Sequence, residues 1–209
     1  VKALGVDPQT GDMIYEDITG EGDISDLDRQ FVGDPLPNVQ GGLNNSLSWK
    51  GFDFQIFLQY AFGHKIYKMF EDGVGGAASL GASAVATNML RDIYDDRWTT
   101  PGQVTSVPRA VTGAQGTWNT RQSTRYLEYG DYIRLKNITL GYTIPASITS
   151  KIKIASARVY VSAQNLFTIT GYSGYDPEIT TELAVGNFGV DQGAIPQMRT
   201  IMFGINLNF

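Results

Sequence analysis

Alternation of apolar and polar residues with a period of two recurs along the chain and predicts β-strands. The clearest case is the stretch 198–209, in which one parity consists of Ile201, Phe203, Ile205, Leu207 and Phe209. Successive side chains of a strand point to opposite faces, so this stretch has one apolar face and one small or polar face. An apolar face of this kind meets either a protein core or membrane lipid, and periodicity alone does not separate the two.

Four further stretches show the same pattern. They lie at 42–49, 52–62, 126–144 and 157–169. Lys50-Gly51 joins the first two stretches, and a tight turn with glycine is typical of a β-hairpin. Within 126–144 the apolar parity shifts near Lys136-Asn137, which predicts a β-bulge there. The sequence therefore predicts an all-β fold with five antiparallel strands.

The connections between these strands alternate in length. Short connections at 50–51 and 146–156 separate long ones at 1–40, 64–125 and 171–197. Bacterial outer-membrane barrels combine short periplasmic turns with long extracellular loops. The pattern therefore indicates a transmembrane antiparallel β-barrel whose C-terminus is periplasmic. Since the smallest such barrels need about eight strands, we expect the chain to be a fragment of a larger barrel.

Composition narrows the choice of function. The chain of 209 residues has a net charge of −5 at pH 7 and no cysteine, so it lacks a basic nucleic-acid footprint and a disulfide framework. The sequence contains no run of about 18 apolar residues, so it predicts no transmembrane helix. His64 is the only histidine, and we expect it to be a solvated loop residue. Because no catalytic constellation can be built around it, the protein is predicted not to be an enzyme and to require no cofactor.

Several motifs in this sequence are similar to those of a known family. They are GDMIYEDITGEGDISDLDR at 11–29, VGDPLP at 32–37, GGLNN at 41–45, WKGFDF at 49–54, RWT at 97–99, PR at 108–109, YIRLKNITLGY at 132–142, QNLFT at 164–168 and GYDPE at 174–178. In this order they resemble the C-terminal part of SusC/RagA-like TonB-dependent outer-membrane transporters. The terminal strand, with Phe203, Ile205, Leu207 and Phe209, also resembles the signal that the barrel-assembly machinery reads.

The resemblance implies a barrel of about 22 strands, of which this chain supplies about five. It implies an N-terminal plug and earlier strands outside this chain, a SusD-like lipoprotein as a lid, and TonB acting through the plug. Residues 1–40 are then an extracellular loop, and 41–209 are C-terminal barrel strands with outer loops. The implied function is outer-membrane import of a glycan or peptide substrate. The other implied partners are the remainder of the barrel and outer-membrane lipid, and not nucleic acid.

An acidic, glycine-containing stretch has the spacing of an EF-hand calcium loop. The ligand positions hold Asp17, Thr19, Glu21, Asp23, Ser25 and Asp28. Gly22 lies at the position of the sharp turn, and Asp28 is one methylene shorter than the usual glutamate. A structural Ca²⁺ ion is one interpretation. A turn whose side chains bond their own backbone is the other.

The long connections carry four aromatic residues that can stack on a sugar or pack against a lid protein: Trp98, Trp118, Tyr172 and Tyr175. Part of 64–125 is predicted to be helical, because apolar residues recur there at helical spacing, namely Val85, Met89, Ile93 and Tyr94. The alternative to a transporter is a soluble extracellular β-domain stabilised by calcium, such as a carbohydrate-binding module. Such a module folds alone, whereas a barrel fragment aggregates without detergent and the rest of its barrel.

Overall fold

The computed structural model describes residues 1–72, 90–111, 113–178 and 188–209. The contacts among them divide the chain into two compact units. One contains the described residues of 1–36, 65–129 and 179–194, and we call it the loop unit. The other contains those of 37–64, 130–178 and 195–209, and we call it the sheet unit.

Strands are the main secondary structure of the described residues. In chain order they are β1 (Ala3–Val6), β2 (Met13–Tyr15), β3 (Val39–Trp49), β4 (Phe52–Phe62), β5 (Lys65–Lys68), β6 (Leu127–Tyr129), β7 (Tyr132–Ile144), β8 (Ser156–Gln164), β9 (Thr168–Thr170), β10 (Val190–Asp191) and β11 (Thr200–Asn208). The α-helices are α1 (Met69–Asp72), α2 (Arg91–Asp96), α3 (Gly113–Asn119) and α4 (Ala146–Thr149). Short 3-10 turns span Asp26–Asp28, Thr124–Tyr126 and Ser150–Ile152. No helix among the described residues has the length and apolar character needed to cross a membrane.

The sheet unit contains one large antiparallel sheet with the strand order β11-β8-β7-β4-β3, and β9 also lies beside β7. Strands that follow one another in this sheet are therefore neighbours, as in an up-and-down meander. The β3–β4 turn has positive φ at Lys50 (45°) and Gly51 (88°). Two consecutive positive φ angles are typical of the tight turn that matches the twist of a hairpin.

The pairing register gives the large sheet two different faces. One row across the apolar face consists of Leu47, Phe54, Leu140, Val161 and Phe203. The adjacent row on the opposite face consists of Ser46, Gln55, Thr139, Ser162 and Met202. We call this second surface the polar face. The period-two alternation of the sequence is thus carried in register across all five long strands.

A β-bulge interrupts the pairing of β4 with β7. Phe57 lies opposite Asn137 and Leu58 lies opposite Leu135, so Lys136 is the extra residue. This position confirms the bulge that the parity shift predicts. Because the bulge absorbs one residue, the apolar side chains before and after it remain on one face.

The strand predicted over 157–169 is divided in the structure into β8 and β9. Asn165 lies between them with a φ of 50°, and its N–H donates to the carbonyl oxygen of Lys136 at 3.2 Å. Asparagine adopts this left-handed conformation more readily than most residues do. The division therefore lies opposite the bulge of β7, and β9 continues the pairing beyond it.

The strand predicted over 126–144 is also divided. β6 pairs with β5 in a three-stranded sheet of the loop unit, whereas β7 belongs to the large sheet. Between them, the N–H of Gly130 donates to the carbonyl of His64 at 3.0 Å, and Asp131 accepts from the N–H of Gly63 at 2.7 Å. The prediction that His64 is solvated is wrong, because this return of the chain leaves His64 only 6% exposed.

The loop unit has regular structure where the sequence predicts long loops. β1 pairs with β2, and β5 pairs with β6 and with β10. Met13, Tyr15 and Ile24 form a small buried core beside Trp118. Of the predicted helix, Ile93 and Tyr94 lie in α2, and Val85 and Met89 lie outside the described residues. The long connections therefore form a packed unit with its own core.

Candidate functional site: two sheet faces and the loop unit

The apolar face of the large sheet is exposed on both edge strands. Trp49 at the end of β3 is 67% exposed, and Phe203 in the middle of β11 is 83% exposed. The predicted assembly-signal residues Ile205, Leu207 and Phe209 continue this surface and are exposed as well. Large contiguous apolar patches are rare on soluble monomers and mark surfaces that contact a partner or a membrane.

An ion pair spans three strands on the polar face. Arg158 in β8 donates two hydrogen bonds to Asp53 in β4, and the bond from its Nε is 2.8 Å long. Gly141 in β7 lies between them, and a Cβ atom there would collide with both side chains. The guanidinium of Arg158 also lies 5.0 Å from the centre of the Tyr160 ring. The missing side chain at Gly141 is therefore what lets these two charges meet.

A second set of ion pairs lies on the same face, nearer the C-terminal end of β4. Arg134 in β7 is 3% exposed, and its Nη2 lies 2.5 Å from Asp176 Oδ1. Its Nη1 lies 2.7 Å from Glu178 Oε2, and Lys136 Nζ lies 2.5 Å from the same oxygen. Gln59 in β4 donates to Glu178 Oε1 at 3.4 Å. Two cations and two anions thus compensate one another within one cluster.

Asp176 also organises the backbone around this cluster. Its carboxylate accepts the N–H of Glu178 at 2.9 Å and the N–H of Gln197 at 3.0 Å. Burial raises the pKa of Asp176, but hydrogen bonds from Arg134 and from these two N–H groups outweigh burial and hold that pKa below its ordinary value. Asp176 therefore stays ionised at neutral pH and joins the segment after β9 to the segment before β11.

Sequence patterns alone do not predict this cluster. Its charged members lie in two motifs that carry the family resemblance, 132–142 and 174–178, and Arg134 Nε also donates to Thr168 in a third at 2.8 Å. The opposite charges of these motifs are the one sequence feature that points to such a cluster. Whether the charges pair depends on the path of the connection after β9, and the alternation of apolar and polar residues does not predict that path.

Asp28, one of the predicted calcium ligands, is fully buried in the loop unit. Its carboxylate accepts three backbone N–H groups at 2.7–3.1 Å, from Ile18, Thr19 and Ser25. The Ser25 N–H has the largest effect on the pKa of Asp28. Burial opposes it, but with the other two N–H donors the result is a pKa of about 2. The ionised carboxylate of Asp28 is therefore a structural part of this turn, which it holds by hydrogen bonds.

The other predicted calcium ligands surround the same turn. Asp17 accepts the N–H groups of Gly20 and Gly22 at 2.6 and 2.8 Å. Glu21 and Asp23 are exposed. Within the described residues, no three acidic, histidine or cysteine side chains converge as a metal site requires. This arrangement matches the alternative interpretation, a turn bonded to its own backbone, and calcium binding stays a prediction.

Two of the predicted contact aromatics hold the loop unit together. The indole N–H of Trp98 donates to the carbonyl of Pro8 at 3.0 Å. The indole N–H of Trp118 donates to the carbonyl of Met13 at 2.8 Å, and the hydroxyl of Tyr15 donates to the carbonyl of Trp118 at 2.8 Å. Both tryptophans therefore tie the connection 64–125 to the first residues of the chain. A role for either in contacting substrate or lid stays a prediction.

The other two predicted contact aromatics lie in the sheet unit and differ in exposure. Tyr172 is 5% exposed, whereas Tyr175 is 68% exposed. Of this pair, Tyr175 is the one that presents its ring to the surroundings. Its role as a contact residue also stays a prediction.

A partly buried polar network fixes β2 against α3. Arg109 donates two hydrogen bonds of 2.7 and 2.8 Å to Asp12, and Asn119 donates to the same carboxylate at 3.0 Å. Asn119 is fully buried and accepts the N–H of Met13 at 2.9 Å. Burial raises the pKa of Asp12, but the bonds from Arg109 and Asn119 outweigh it and lower that pKa. The arginine of the motif at 108–109 is thus a structural residue of the loop unit.

The loop unit also contains a cavity of about 690 Å³. Its lining combines guanidinium, amide, hydroxyl and aromatic groups, from Arg29, Gln30, Tyr67, Arg121 and Ser123 among others. A volume of this size is typical of pockets for small molecules. The lining therefore combines hydrogen-bonding groups with apolar side chains such as Met69 and Leu127.

Comparison with known proteins identifies relatives that match nearly the whole chain. No family model matches it. The chain is 35% identical to TonB-dependent receptor P3 of Formosa agariphila over 99% of this chain and 20% of the relative. It is 27% identical to TonB-dependent receptor SusC of Bacteroides thetaiotaomicron over 94% of this chain and 17% of that protein.

Solved structures give the same relationship. The RagAB peptide importer in its closed-closed state matches 100% of this chain and 22% of its own, with a TM-score of 0.74 and 25% identity. The structure of the RagAB peptide transporter matches with a TM-score of 0.71 at the same identity. The chain is homologous to a segment of SusC/RagA-like TonB-dependent receptors.

This SusC/RagA-like segment spans about one fifth of the length of these relatives. The relatives are named as receptors, importers and transporters, and none of these names is that of an enzyme. The mostly antiparallel β-structure and the order of the family motifs agree with that relationship.

The absence of a side chain at Gly141 gives a first prediction. We expect Gly141→Ala to lower the free energy of unfolding by about 1–3 kcal/mol, because the added methyl group overpacks the site where Arg158 meets Asp53. Denaturant unfolding of the full receptor in detergent measures the change. Gly171→Ala is the matched control, because nothing lies within 4 Å of a Cβ atom at Gly171. Equal stability of the two variants would contradict the prediction.

The low pKa of Asp28 gives a second prediction. Because the fold lowers this pKa from 3.8 to about 2, Asp28 contributes stability above pH 4, and that contribution is lost as the pH falls through about 2. We expect acid titration of the full receptor to loosen the loop unit in this window, read by tryptophan fluorescence. Asp28→Asn should remove this step. The exposed neighbour provides the control, Asp26→Asn, and an unchanged step in Asp28→Asn would refute the assignment.

Proposed function

We propose that this SusC/RagA-like segment is part of the wall of an outer-membrane β-barrel that imports nutrients with energy from the TonB complex. In this proposal the apolar face of the large sheet contacts lipid, and the polar face lines the lumen. The observation that supports it most is the two-faced sheet itself, in which five strands share one apolar face that is exposed on both edge strands.

The edges of this sheet support a closed barrel. Among the described residues, β3 and β11 are the outer strands of the large sheet. In lipid, each backbone N–H or C=O group without a partner costs several kcal/mol, so an open edge is not tolerated there. We therefore propose that further strands of the same barrel pair with β3 and with β11. About 22 strands in total is the number that the family implies.

The loop unit supports one orientation of the segment in the outer membrane. It is built from the long connections, whereas β3–β4 and β7–β8 are joined by short segments. Barrels of this class carry their long loops outside the cell, so the loop unit is extracellular in this proposal and the C-terminus is periplasmic. The loop unit then faces a SusD-like lid lipoprotein and an oligosaccharide or peptide substrate. The relatives that support these partners are SusC and the RagAB peptide importer.

A structural Ca²⁺ ion at the turn 17–28 is a separate proposal. In this proposal the metal competes with the backbone N–H donors that the carboxylates of Asp17 and Asp28 accept in the structure. Calorimetric titration of the full receptor with CaCl₂ tests this. Heat of binding that disappears in Asp28→Asn supports the ion, and no heat in the wild-type protein refutes it.

Adjacent residues of β11 provide the test of the transporter proposal. Phe203 lies on the apolar face opposite Val161, and Met202 lies on the polar face opposite Ser162. We expect a fluorophore attached at Phe203→Cys to be quenched strongly by brominated lipid in reconstituted receptor. The same fluorophore at Met202→Cys should be quenched weakly, because that position faces the lumen. These 209 residues contain no cysteine, and any cysteine elsewhere in the receptor is replaced by serine before labelling.

The result separates the two candidate functions. Strong quenching at 203 and weak quenching at 202 supports a barrel wall. A soluble calcium-stabilised domain predicts no lipid quenching at either position, so that outcome would overturn the transporter proposal. Equal quenching at both positions would contradict the assignment of the two faces.

A further inference from the structure

The segment 174–178 lies on the polar face of the large sheet. Glu178 accepts hydrogen bonds from Gln59 and Arg134, which are direct cross-strand partners in β4 and β7. The segment therefore folds back over the sheet after β9 and does not extend away from it. It lies near the ends of β4 and β7 from which the long connections leave.

Arg134 holds this segment by two of its side-chain nitrogens and contacts β9 by the third. Nε donates to Thr168, Nη1 to Glu178 and Nη2 to Asp176, at 2.5–2.8 Å. Arg134 and Asp176 are both almost fully buried. Removing one member of a buried ion pair leaves an uncompensated charge, which is strongly destabilising. Arg134 is therefore the residue on which the position of the segment depends.

The bulge of β7 strengthens the same contact. Lys136 is the extra residue of the bulge, and its ammonium lies 2.5 Å from Glu178 Oε2. Bulges re-aim a side chain that regular pairing would direct elsewhere. The irregularity of β7 thus supplies a second cation to the segment that Arg134 holds.

The segment in turn positions the approach to β11. Asp176 accepts the N–H of Gln197, and Asn165 donates to the carbonyl of Met198 at 3.2 Å. Both contacts lie immediately before Thr200, where β11 begins. Of the connection between β9 and β11, the parts that belong to the sheet unit, 171–178 and 195–199, are therefore joined to one another through Asp176.

We infer that residues 174–178 form a strap, clamped by Arg134, that narrows the outer mouth of the transport path. The inference rests on the proposed function, in which the polar face lines the lumen. Because the strap lies on that face, it occupies lumen volume at the end where the long connections leave the sheet. Releasing the clamp then widens the path and loosens the chain before β11.

Hydrogen exchange of the full-length receptor in detergent tests the clamp. The amides of Glu178 and Gln197 donate to Asp176, so their exchange reports whether the strap is closed. We expect Arg134→Gln to accelerate exchange in peptides covering 174–178 and 195–198 about tenfold or more, since loss of a buried pair exceeds the free energy of a factor of ten. Arg158→Gln removes the other arginine pair of the same face and should leave these peptides unchanged. Unchanged exchange in Arg134→Gln would overturn the clamp.

If Arg134→Gln does not assemble, a less destabilising variant tests the clamp. Glu178→Gln removes one carboxylate that is 25% exposed and leaves Arg134 paired with Asp176. We expect it to accelerate exchange in the same peptides by a smaller factor. Exchange as slow as in the wild-type protein would count against the strap.

Ion current through the reconstituted receptor in KCl tests the effect on the path. We expect a larger current in Arg134→Gln than in the wild-type protein. Faster exchange with an unchanged current would overturn the narrowing role. If the wild-type protein does not insert into bilayers, the proposed function fails, while the exchange result still decides whether Arg134 clamps the segment.

Discussion

A strand that gains or loses one residue turns every following side chain to the opposite face, so a two-faced sheet depends on unbroken parity. In this molecule the parity is kept across an extra residue, Lys136, because the bulge absorbs it. The neighbouring strand is interrupted at the same level, where Asn165 takes a left-handed conformation. The apolar surface therefore continues from β3 to β11, and every interpretation of the sheet as a membrane wall depends on that continuity.

The polar face shows how charges are accommodated on such a sheet. Arg158 reaches Asp53 only because Gly141 has no side chain, and Arg134 is neutralised by a segment that folds back over the sheet. Both arginines are paired, as buried or partly buried charges need to be. The two clusters differ in one respect. The first joins strands to one another, whereas the second joins the sheet to a connection.

The alternation of apolar and polar residues predicts the long strands well because it is a local property of the sequence. The bounds of β4 coincide with the predicted stretch 52–62, and the bulge lies where the parity shift indicates. The strands of the loop unit and the division of 126–144 were not predicted, because they depend on pairing between segments far apart in the chain. The same holds for the candidate site. Arg134 and Asp176 are 42 residues apart, and local pattern gives no information about such a contact.

Three of the motifs that carry the family resemblance meet at Arg134, through Thr168 and the strap at 174–178. The likeness to the solved RagAB structures, with a TM-score of 0.74 at 25% identity, is a likeness of fold. Side chains that join the strands and hold residues 174–178 against the sheet account for a likeness of fold, because they determine the path of the chain. Such a likeness does not require a common ligand, because the contacts that fix the fold are made by side chains engaged with one another.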